Sequence, residues 1–345
     1  MSASNGQVEA VGYNLTKYVK TNAVAAVSEE GSVVVDVKFC ALVARLPSGI
    51  QLDCTVVDNV LTLRCSSGVY KFATLDASDY PELPVAENEL SFEVAPAELN
   101  KVWKTIQHVP QMSVESTARP MFAGVNLEYD KNAQTFRCVA SDGFRVAIAD
   151  ADVVASSTDV DFSSIVPSET LKFLTQLKLD ENVKISQGYR DRQYISFNTN
   201  NICVVSRLID GSYFNYRRAL QMDETVEVEV DKHAFLESCE RVALAISDDK
   251  SPIVLNFTPS EIKISGKSAM GLAEETLDDM KYVREPEPAS SEFVIGFNQR
   301  FLSDAVKAID DDTFVMRLSN PLAGAALEPK DRKNSSQFVL PVRLK

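Results

Sequence analysis

Helix-like patterns of apolar and polar residues recur along the chain at a fixed interval. Apolar residues three and four apart mark residues 36–46, 167–177 and 298–309 as amphipathic helices. Their starts, at residues 36, 167 and 298, are 131 residues apart, and each start is a residue that favours helix initiation: Asp36, Pro167 and Asn298. A fixed interval of this size indicates an internal repeat of about 130 residues.

A second helix pattern and several strand patterns repeat with the first. Residues 95–106 and 231–245 are helix-like, and each follows an alternating strand pattern, LSFEV and VEVEV. Alternating segments also occupy residues 7–14, 135–142 and 261–268, while residues 70–84 and 204–220 each leave a strand through an acidic turn and an aromatic-rich exit. We therefore predict an α+β fold of three repeated domains, each with two helices and short-stranded antiparallel sheets, over residues 1–88, 89–221 and 222–345. The first copy is expected to lack its first helix and flanking strands, because the counterpart would start before Met1.

The segment RLIDGSYFNYRRAL, residues 207–220, allows two interpretations. Aromatics beside arginines are typical of a nucleic-acid contact. Alternatively, the segment ends a strand in a turn, with Ile209, Tyr213 and Tyr216 as packing residues and the arginines solvated. We favour the second, because aromatics in strand-like runs are usually buried.

Composition narrows the class of protein. The formal net charge is −14, with 45% hydrophobic and 24% charged residues, which is typical of globular chains and argues against a surface that is basic throughout. No apolar run approaches the roughly 18 residues of a membrane span, and the N-terminus has no signal-peptide pattern, so we expect a cytoplasmic protein. Six scattered cysteines without a CxxC pair predict reduced core residues.

Signals for catalysis are weak. GKS at residues 266–268 lacks the earlier glycine of a phosphate-binding loop and lies in a strand pattern. His108 and His233 are the only histidines, too few for a histidine zinc site or a Ser-His-Asp triad, and both lie in or beside predicted helices. Acidic runs at 248–249, 278–279 and 310–312 are typical of solvated turns. We expect neither catalysis, cofactor nor metal.

Basic residues share faces of the predicted helices. Lys38 and Arg45, like Arg300 and Lys307, are two helical turns apart, and Lys101 lies beside Lys104. These faces are either ordinary solvated surfaces or, if the repeats set their helices on one side, a single basic surface.

Four linked motifs give the chain a family resemblance. Residues 137–153 (RCVASDGFRVAIADADV), 204–220, 72–84 (FATLDASDYPELP) and 338–345 (FVLPVRLK) closely resemble the bacterial β sliding clamps, the β subunits of DNA polymerase III. The family's S/T-D-G-[HFY]-R-[LV]-A segment is matched by residues 141–147. The resemblance runs in order along essentially the whole chain.

The resemblance implies a non-catalytic processivity factor. Members have three topologically equal domains, and two chains close head to tail into a ring around duplex DNA without reading its sequence. Polymerase and clamp-loader subunits bind through short linear peptides. The residues that would face DNA are Lys38, Arg45, Lys101, Lys104, Arg119, Lys172, Lys178, Lys232, Arg241, Arg300 and Lys307.

The family's peptide pocket lies between domains two and three. One wall would be formed by Phe122, Ser141, Gly143, Phe144, Arg145, Val146, Arg218 and Ala219. The other would be formed by Asn298, Phe301, Leu322, Gly324, Val339, Leu340, Pro341, Val342 and Arg343. Arg145 is expected at the rim, where its charge would orient the peptide.

Dimer contacts and departures complete the comparison with the family. Dimer contacts would be Tyr70 and Phe72 of one chain and Ala245 and Ile246 of the other. The departures are Phe214 in place of the usual proline, Lys250 in place of an aromatic, the extra Lys345, and the short N-terminus. Because of that N-terminus a second hypothesis stays open: a clamp-derived interaction protein that keeps the pocket without encircling DNA.

Overall fold

A computed structural model gives the fold of residues 1–84, 90–109, 118–188, 193–221, 223, 226–244, 246, 251–269, 271–285, 293–331 and 334–344. The chain forms two compact units. The first comprises Met1–Asn88 and Lys184–Arg207, and the second comprises Glu89–Val183 and Leu208–Lys345. None of the described helices is long and apolar enough to cross a bilayer.

The first unit is an antiparallel sheet with one α-helix among its described residues. Its strands pair in the order β13-β14-β15-β3-β2-β1-β4-β7-β6-β5. The small core joins Phe39 of the helix to Leu61 and Leu63 of the sheet. The elements are β1 (Ser2–Ser4), β2 (Gln7–Tyr13), β3 (Lys17–Val24), β4 (Gly31–Val35), α1 (Lys38–Val43), β5 (Asp53–Val57), β6 (Val60–Cys65), β7 (Gly68–Asp76), β13 (Val183–Gln187), β14 (Tyr194–Asn198) and β15 (Ile202–Arg207).

The second unit contains a continuous nine-stranded antiparallel sheet. Its order is β20-β16-β22-β23-β24-β11-β10-β9-β12, and β8 pairs with the far end of β11. Its elements up to α4 are β8 (Leu90–Val94), α2 (Pro96–Ile106), β9 (Gly124–Asp130), β10 (Thr135–Ser141), β11 (Arg145–Ser156), β12 (Phe162–Pro167), α3 (Ser168–Leu174) and α4 (Tyr216–Ala219).

The C-terminal part of the second unit adds a four-stranded sheet, β19-β18-β17-β21. Together with α5 and α6 it encloses a core rich in Val, Ile, Leu and Phe. The elements are β16 (Val226–Asp231), α5 (Lys232–Ala243), β17 (Ile253–Phe257), β18 (Ile262–Lys267), β19 (Leu272–Leu277), β20 (Met280–Arg284), β21 (Phe293–Phe297), α6 (Gln299–Lys307), β22 (Thr313–Leu318), β23 (Ala325–Pro329) and β24 (Ser335–Val339).

The predicted α+β class and all five predicted helices are confirmed. Of the three predicted helix-starting residues, Asn298 is a side-chain cap, since it accepts a hydrogen bond from the Phe301 amide, whereas α1 and α3 begin without one. Asp231, which the sequence analysis did not single out, caps α5 by accepting a hydrogen bond from the Ala234 amide. The helices end earlier than the patterns predict, because α1 stops at Val43 and α3 at Leu174. Among described residues 1–84, α1 is the single α-helix, accompanied by a 3₁₀ turn at Ala77–Asp79.

Candidate functional site

The turn between β10 and β11 pushes one aromatic side chain into solvent. Gly143 occupies a left-handed conformation with φ of 88°. The Asp142 carboxylate accepts hydrogen bonds from the amides of Phe144 and Arg145, at 3.0 and 3.1 Å, which fixes the turn. Phe144 is consequently 58% exposed.

The C-terminal segment runs beside this turn. The Leu340 amide donates to the Phe144 carbonyl at 2.9 Å, and the Val342 amide donates to the Gly296 carbonyl at 2.8 Å. The segment after β24 is thereby held against both the turn and β21.

Exposed apolar side chains gather where these segments meet. The rings of Phe144 and Phe301 lie 6.1 Å apart, and Leu340 is 42% exposed. Leu322, 66% exposed, lies in the turn before β23, near the point where Ala325 of β23 opposes the end of β24. We call the exposed Phe144, Leu322 and Leu340, together with the half-buried Phe301, the exposed apolar patch. Such a patch marks a surface suited to binding a partner.

Arg145 does not lie at the rim of this patch. Its side chain is 3% exposed, and the guanidinium pairs with Asp142 at 2.9 Å and with Asp304 of α6 at 2.8 Å. The guanidinium carbon also lies 4.3 Å from the centre of the Phe301 ring. The prediction that Arg145 lies at the rim is therefore wrong, because its buried side chain links the β10–β11 turn to α6 through these ion pairs.

Val339 also faces away from the predicted wall. It is fully buried in the core beneath α5 and α6, whereas its neighbour Phe338 packs with Val146 in a cluster on the opposite face of the sheet. Successive strand residues point to opposite faces, and β11 pairs with β24 so that Val146 opposes Phe338. The alternation along FVL places Phe338, and not Val339, on the face of the sheet that carries Val146.

The other predicted pocket residues lie on several elements of the same unit. Gly324 has φ of 85°, and a Cβ there would lie 2.7 Å from the Val339 carbonyl oxygen. Ser141 is buried and donates to the Arg145 carbonyl. Asn298 caps α6, Pro341 and Val342 are half-buried, and Arg218 and Arg343 are exposed. The side chain of Ala219 lies outside the described residues.

An aromatic cluster fills the position at which Phe214 departs from the family. The Phe214 ring lies 5.8 Å from that of Phe122, 5.0 Å from that of Tyr213 and 6.4 Å from that of Tyr216. Tyr216 is buried and donates to Glu128 at 2.8 Å. Burial, as the larger cause, and this hydrogen bond together raise the pKa of Tyr216 to about 12.

Packing in residues 207–220 matches the favoured interpretation. Tyr216 is buried, Tyr213 is half-buried, and Ile209 bridges to Ile165. Arg217 and Arg218 are exposed, and Arg217 pairs with Glu128.

Several predicted DNA-facing residues are engaged by the protein itself. Lys104 pairs with Asp310 at 2.5 Å, Lys307 with Glu240 at 3.1 Å, and Arg241 with Glu275 at 2.7 Å. The Lys232 ammonium donates to the carbonyl of Ile309. These contacts join residues up to 206 positions apart, which no local pattern reveals.

The remaining predicted DNA-facing residues divide by position. Arg45 lies beyond the end of α1 and donates to the Ala41 carbonyl, so Lys38 and Arg45 do not share a face of this helix as predicted. Lys178 lies beyond α3, and Arg119 precedes a 3₁₀ turn. Four are exposed on helices and make no ion pair with another described residue: Lys38, Lys101, Lys172 and Arg300.

The predicted dimer residues Tyr70, Phe72 and Ile246 are half-buried. Tyr70 and Phe72 pack against the core of the first unit, and Ile246 packs over Gly266 and Val242 in the second. Ala245 lies outside the described residues, as do Lys250 and Lys345. On β7 the exposed apolar residues are Val69 and Leu75 instead.

The residues considered for catalysis and metal binding lie on separate elements of the structure. No group of three or more potential metal ligands occurs among the described residues. GKS lies at the end of β18, and His108 follows α2, where burial lowers its pKa. Cys138 and Cys239 are buried as predicted, but Cys40 and Cys54 are exposed, so not all the cysteines are core residues.

Comparison with known proteins identifies relatives along most of the chain. Two family models match: the central domain of the DNA polymerase III beta subunit over residues 97–215 and its C-terminal domain over residues 217–343. The beta sliding clamp of Halalkalibacterium halodurans is 28% identical over 325 residues, which cover 92% of this chain and 82% of that protein. The beta sliding clamp of Synechococcus elongatus is 23% identical over 350 residues, covering 99% and 90%.

Solved structures show the same fold. The DNA polymerase III subunit beta of Pseudomonas aeruginosa has a TM-score of 0.88 at 23% identity, with 99% of this chain and 91% of that chain covered. A sliding clamp from the same organism, solved bound to griselimycin, has a TM-score of 0.88 at 24% identity, with 99% and 90% covered.

Proposed function

The chain belongs to the bacterial DNA polymerase III beta subunits, the beta sliding clamps, and on that premise we propose that it is a replication clamp that holds a polymerase on DNA through a bound peptide. The observation that carries this proposal is the exposed apolar patch. A patch fixed by main-chain hydrogen bonds on both sides suits a short linear peptide with apolar anchors.

The proposed ligand is a peptide of five or six residues with one glutamine and two apolar anchors. Burying one anchor side chain contributes roughly 1.5–3 kcal/mol. Ordering the peptide offsets much of the gain from two anchors, so we expect a dissociation constant near 1 μM, about −8 kcal/mol.

Titration calorimetry with such a peptide tests the site. Phe144→Ala should weaken binding by roughly tenfold or more, because it removes exposed apolar surface that the peptide would cover. Val154→Ala is the matched control, since Val154 lies on the adjoining strand β11, is 56% exposed and is not part of the patch. Equal affinities for the two variants would refute the assignment of the patch.

The proposed ring requires two chains and weak contacts with DNA phosphates. Sedimentation should give a species near twice 38.0 kDa. Replacing Lys101 and Arg300 by Gln should reduce the magnitude of the slope of log K against log salt for duplex DNA by up to about 3.6, because the ring carries each residue twice and each lost phosphate contact accounts for about 0.9. The same change at Lys104 and Lys307 should lower it by less than half as much, because those cations are already paired.

A second function keeps the peptide but not the ring. It is favoured by the half-buried state of Tyr70 and Phe72 and by the ion pairing of the helix lysines. A monomer at micromolar concentration that still binds the peptide would select this alternative.

A further inference from the structure

A cleft with a volume of about 260 Å³, lined by both polar and apolar residues, opens on one face of the nine-stranded sheet, and none of its lining residues belongs to the exposed apolar patch. It lies across the strands β10-β11-β24-β23-β22, with β24 at its centre. Ser335 and Ser336 of β24 line its middle, and Ile148 and Ala326 supply apolar contacts on either side.

Two ion pairs border the cleft on opposite sides of β24. Arg137 of β10 binds both carboxylate oxygens of Asp150 on β11, each at 2.7 Å. Arg317 of β22 pairs with Glu328 of β23 at 2.6 Å. The formal charges of these four residues cancel, so the cleft carries no net charge with which to attract an ion.

The cleft adjoins the buried cluster that contains Val146, Ile148 and Phe338, because Ile148 belongs to both. Along β11, Val146, Ile148 and Asp150 share one face, because alternate strand residues point the same way. Val146 and Ile148 pack in one cluster with Phe338, and Val146 directly follows the buried Arg145 of the turn that presents Phe144. Val146 and Asp150 are four residues apart, about 13 Å along the strand, which is the length of about four residues of extended peptide.

Resting on the proposed function, we propose that this cleft receives the uncharged polar residues that flank the anchor motif of the partner peptide. Serine hydroxyls and the outer edges of the paired carboxylates and guanidiniums offer hydrogen bonds to amides and hydroxyls. A charged flank would lose hydration without gaining an opposite charge, unless it broke an existing pair. Serine, asparagine and glycine flanks should therefore bind better than lysine or aspartate flanks.

Fluorescence anisotropy on the full chain tests the inference with a labelled anchor peptide and longer versions. Four-residue extensions of Ser and Asn are added at the N-terminus in one peptide and at the C-terminus in another. One of the two should bind about five- to tenfold more tightly than the anchor peptide, and the same extension made of Lys or Asp should give no gain. If neither neutral extension improves binding while the anchor peptide still binds, the inference is overturned and the proposed function stands. If the anchor peptide itself does not bind, both fail.

Variants locate the gain in the cleft. Ser336→Phe should abolish the gain from the extension while leaving the affinity for the anchor peptide within twofold. Ser28→Phe is the matched control, an exposed serine of the other unit that should change neither value. Asp150→Asn gives the cleft a positive charge, so an aspartate extension should now bind more tightly than a neutral one. An unchanged preference in Asp150→Asn would place the flank elsewhere.

Discussion

Replacing Arg145 by alanine should destabilise the second unit strongly, whereas removing an exposed charge at the rim of the patch would change its stability little. The guanidinium is 3% exposed and pairs with Asp142, 10% exposed, and Asp304, 28% exposed. Removing one partner of a buried pair typically costs 3–5 kcal/mol, because a charge is left uncompensated. Most of this cost comes from leaving the Asp142 carboxylate without its partner, and less comes from Asp304, which is more exposed to water. Loss of the contact between the guanidinium and the Phe301 ring adds about 0.5–2 kcal/mol. Because both carboxylates keep some contact with water, we place the cost of the broken pairs at the lower end of that range, and we expect a total of about 3.5–5 kcal/mol.

Urea unfolding followed by the fluorescence of Trp103, the single tryptophan, measures this cost. Trp103 is buried on α2, which packs against β10 and β11, so its emission reports on the domain that holds Arg145. With an m-value of about 2 kcal/mol/M, the midpoint should fall by about 1.8–2.5 M. Arg145→Lys should recover only part of the loss, since an ammonium cannot form the same fork. A midpoint shift in Arg145→Ala below about 0.3 M would refute the claim that the buried ion pairs of Arg145 stabilise this unit.

Two further changes test local features. Cys40 and Cys54 should react with a thiol reagent in the native protein at neutral pH, whereas Cys138 and Cys239, whose pKa burial raises, should react only after unfolding; equal rates would contradict their burial. Gly324→Ala should cost at least about 2 kcal/mol of unfolding free energy, because it combines a left-handed φ with a Cβ inside contact distance, and an unchanged midpoint in urea would contradict that geometry.

The elements of the fold were predictable because their signals are local. Amphipathic spacing specifies each predicted helix within its own segment, and a side-chain cap marks the start of α5 and of α6, as Asn298 does for α6. The repeat then extends each prediction to the next copy, which is why helices of both types were found. Boundaries were less accurate: α1 ends at Val43 and α3 at Leu174, three residues before the ends of their patterns at 46 and 177.

The candidate site was predictable only in part, since it depends on pairing between distant segments. The position of Phe144 follows from a local turn, but the burial of Arg145 depends on Asp304, 159 residues away. Val339 was predicted to lie in the pocket with Val146, but it is Phe338 that opposes Val146 in the sheet. A difference of one residue along a strand places a side chain on the opposite face. Family resemblance supplied the segment but not the side of the strand.

Ion pairing of the helix lysines bears on how the proposed ring could hold DNA. Lys104 and Lys307 are balanced by Asp310 and Glu240, and the chain as a whole carries −14. Each exposed pair is worth at most about 1 kcal/mol, so a phosphate can compete for the lysine but gains little by doing so. In the proposed ring, attraction to DNA would then come mainly from the helix cations that pair with no other described residue: Lys38, Lys101, Lys172 and Arg300. An attraction of that size would allow sliding, whereas retention on DNA would have to come from the closed ring. The strength of the contact between chains, rather than the charge of the helices, should therefore decide whether this protein works as a clamp.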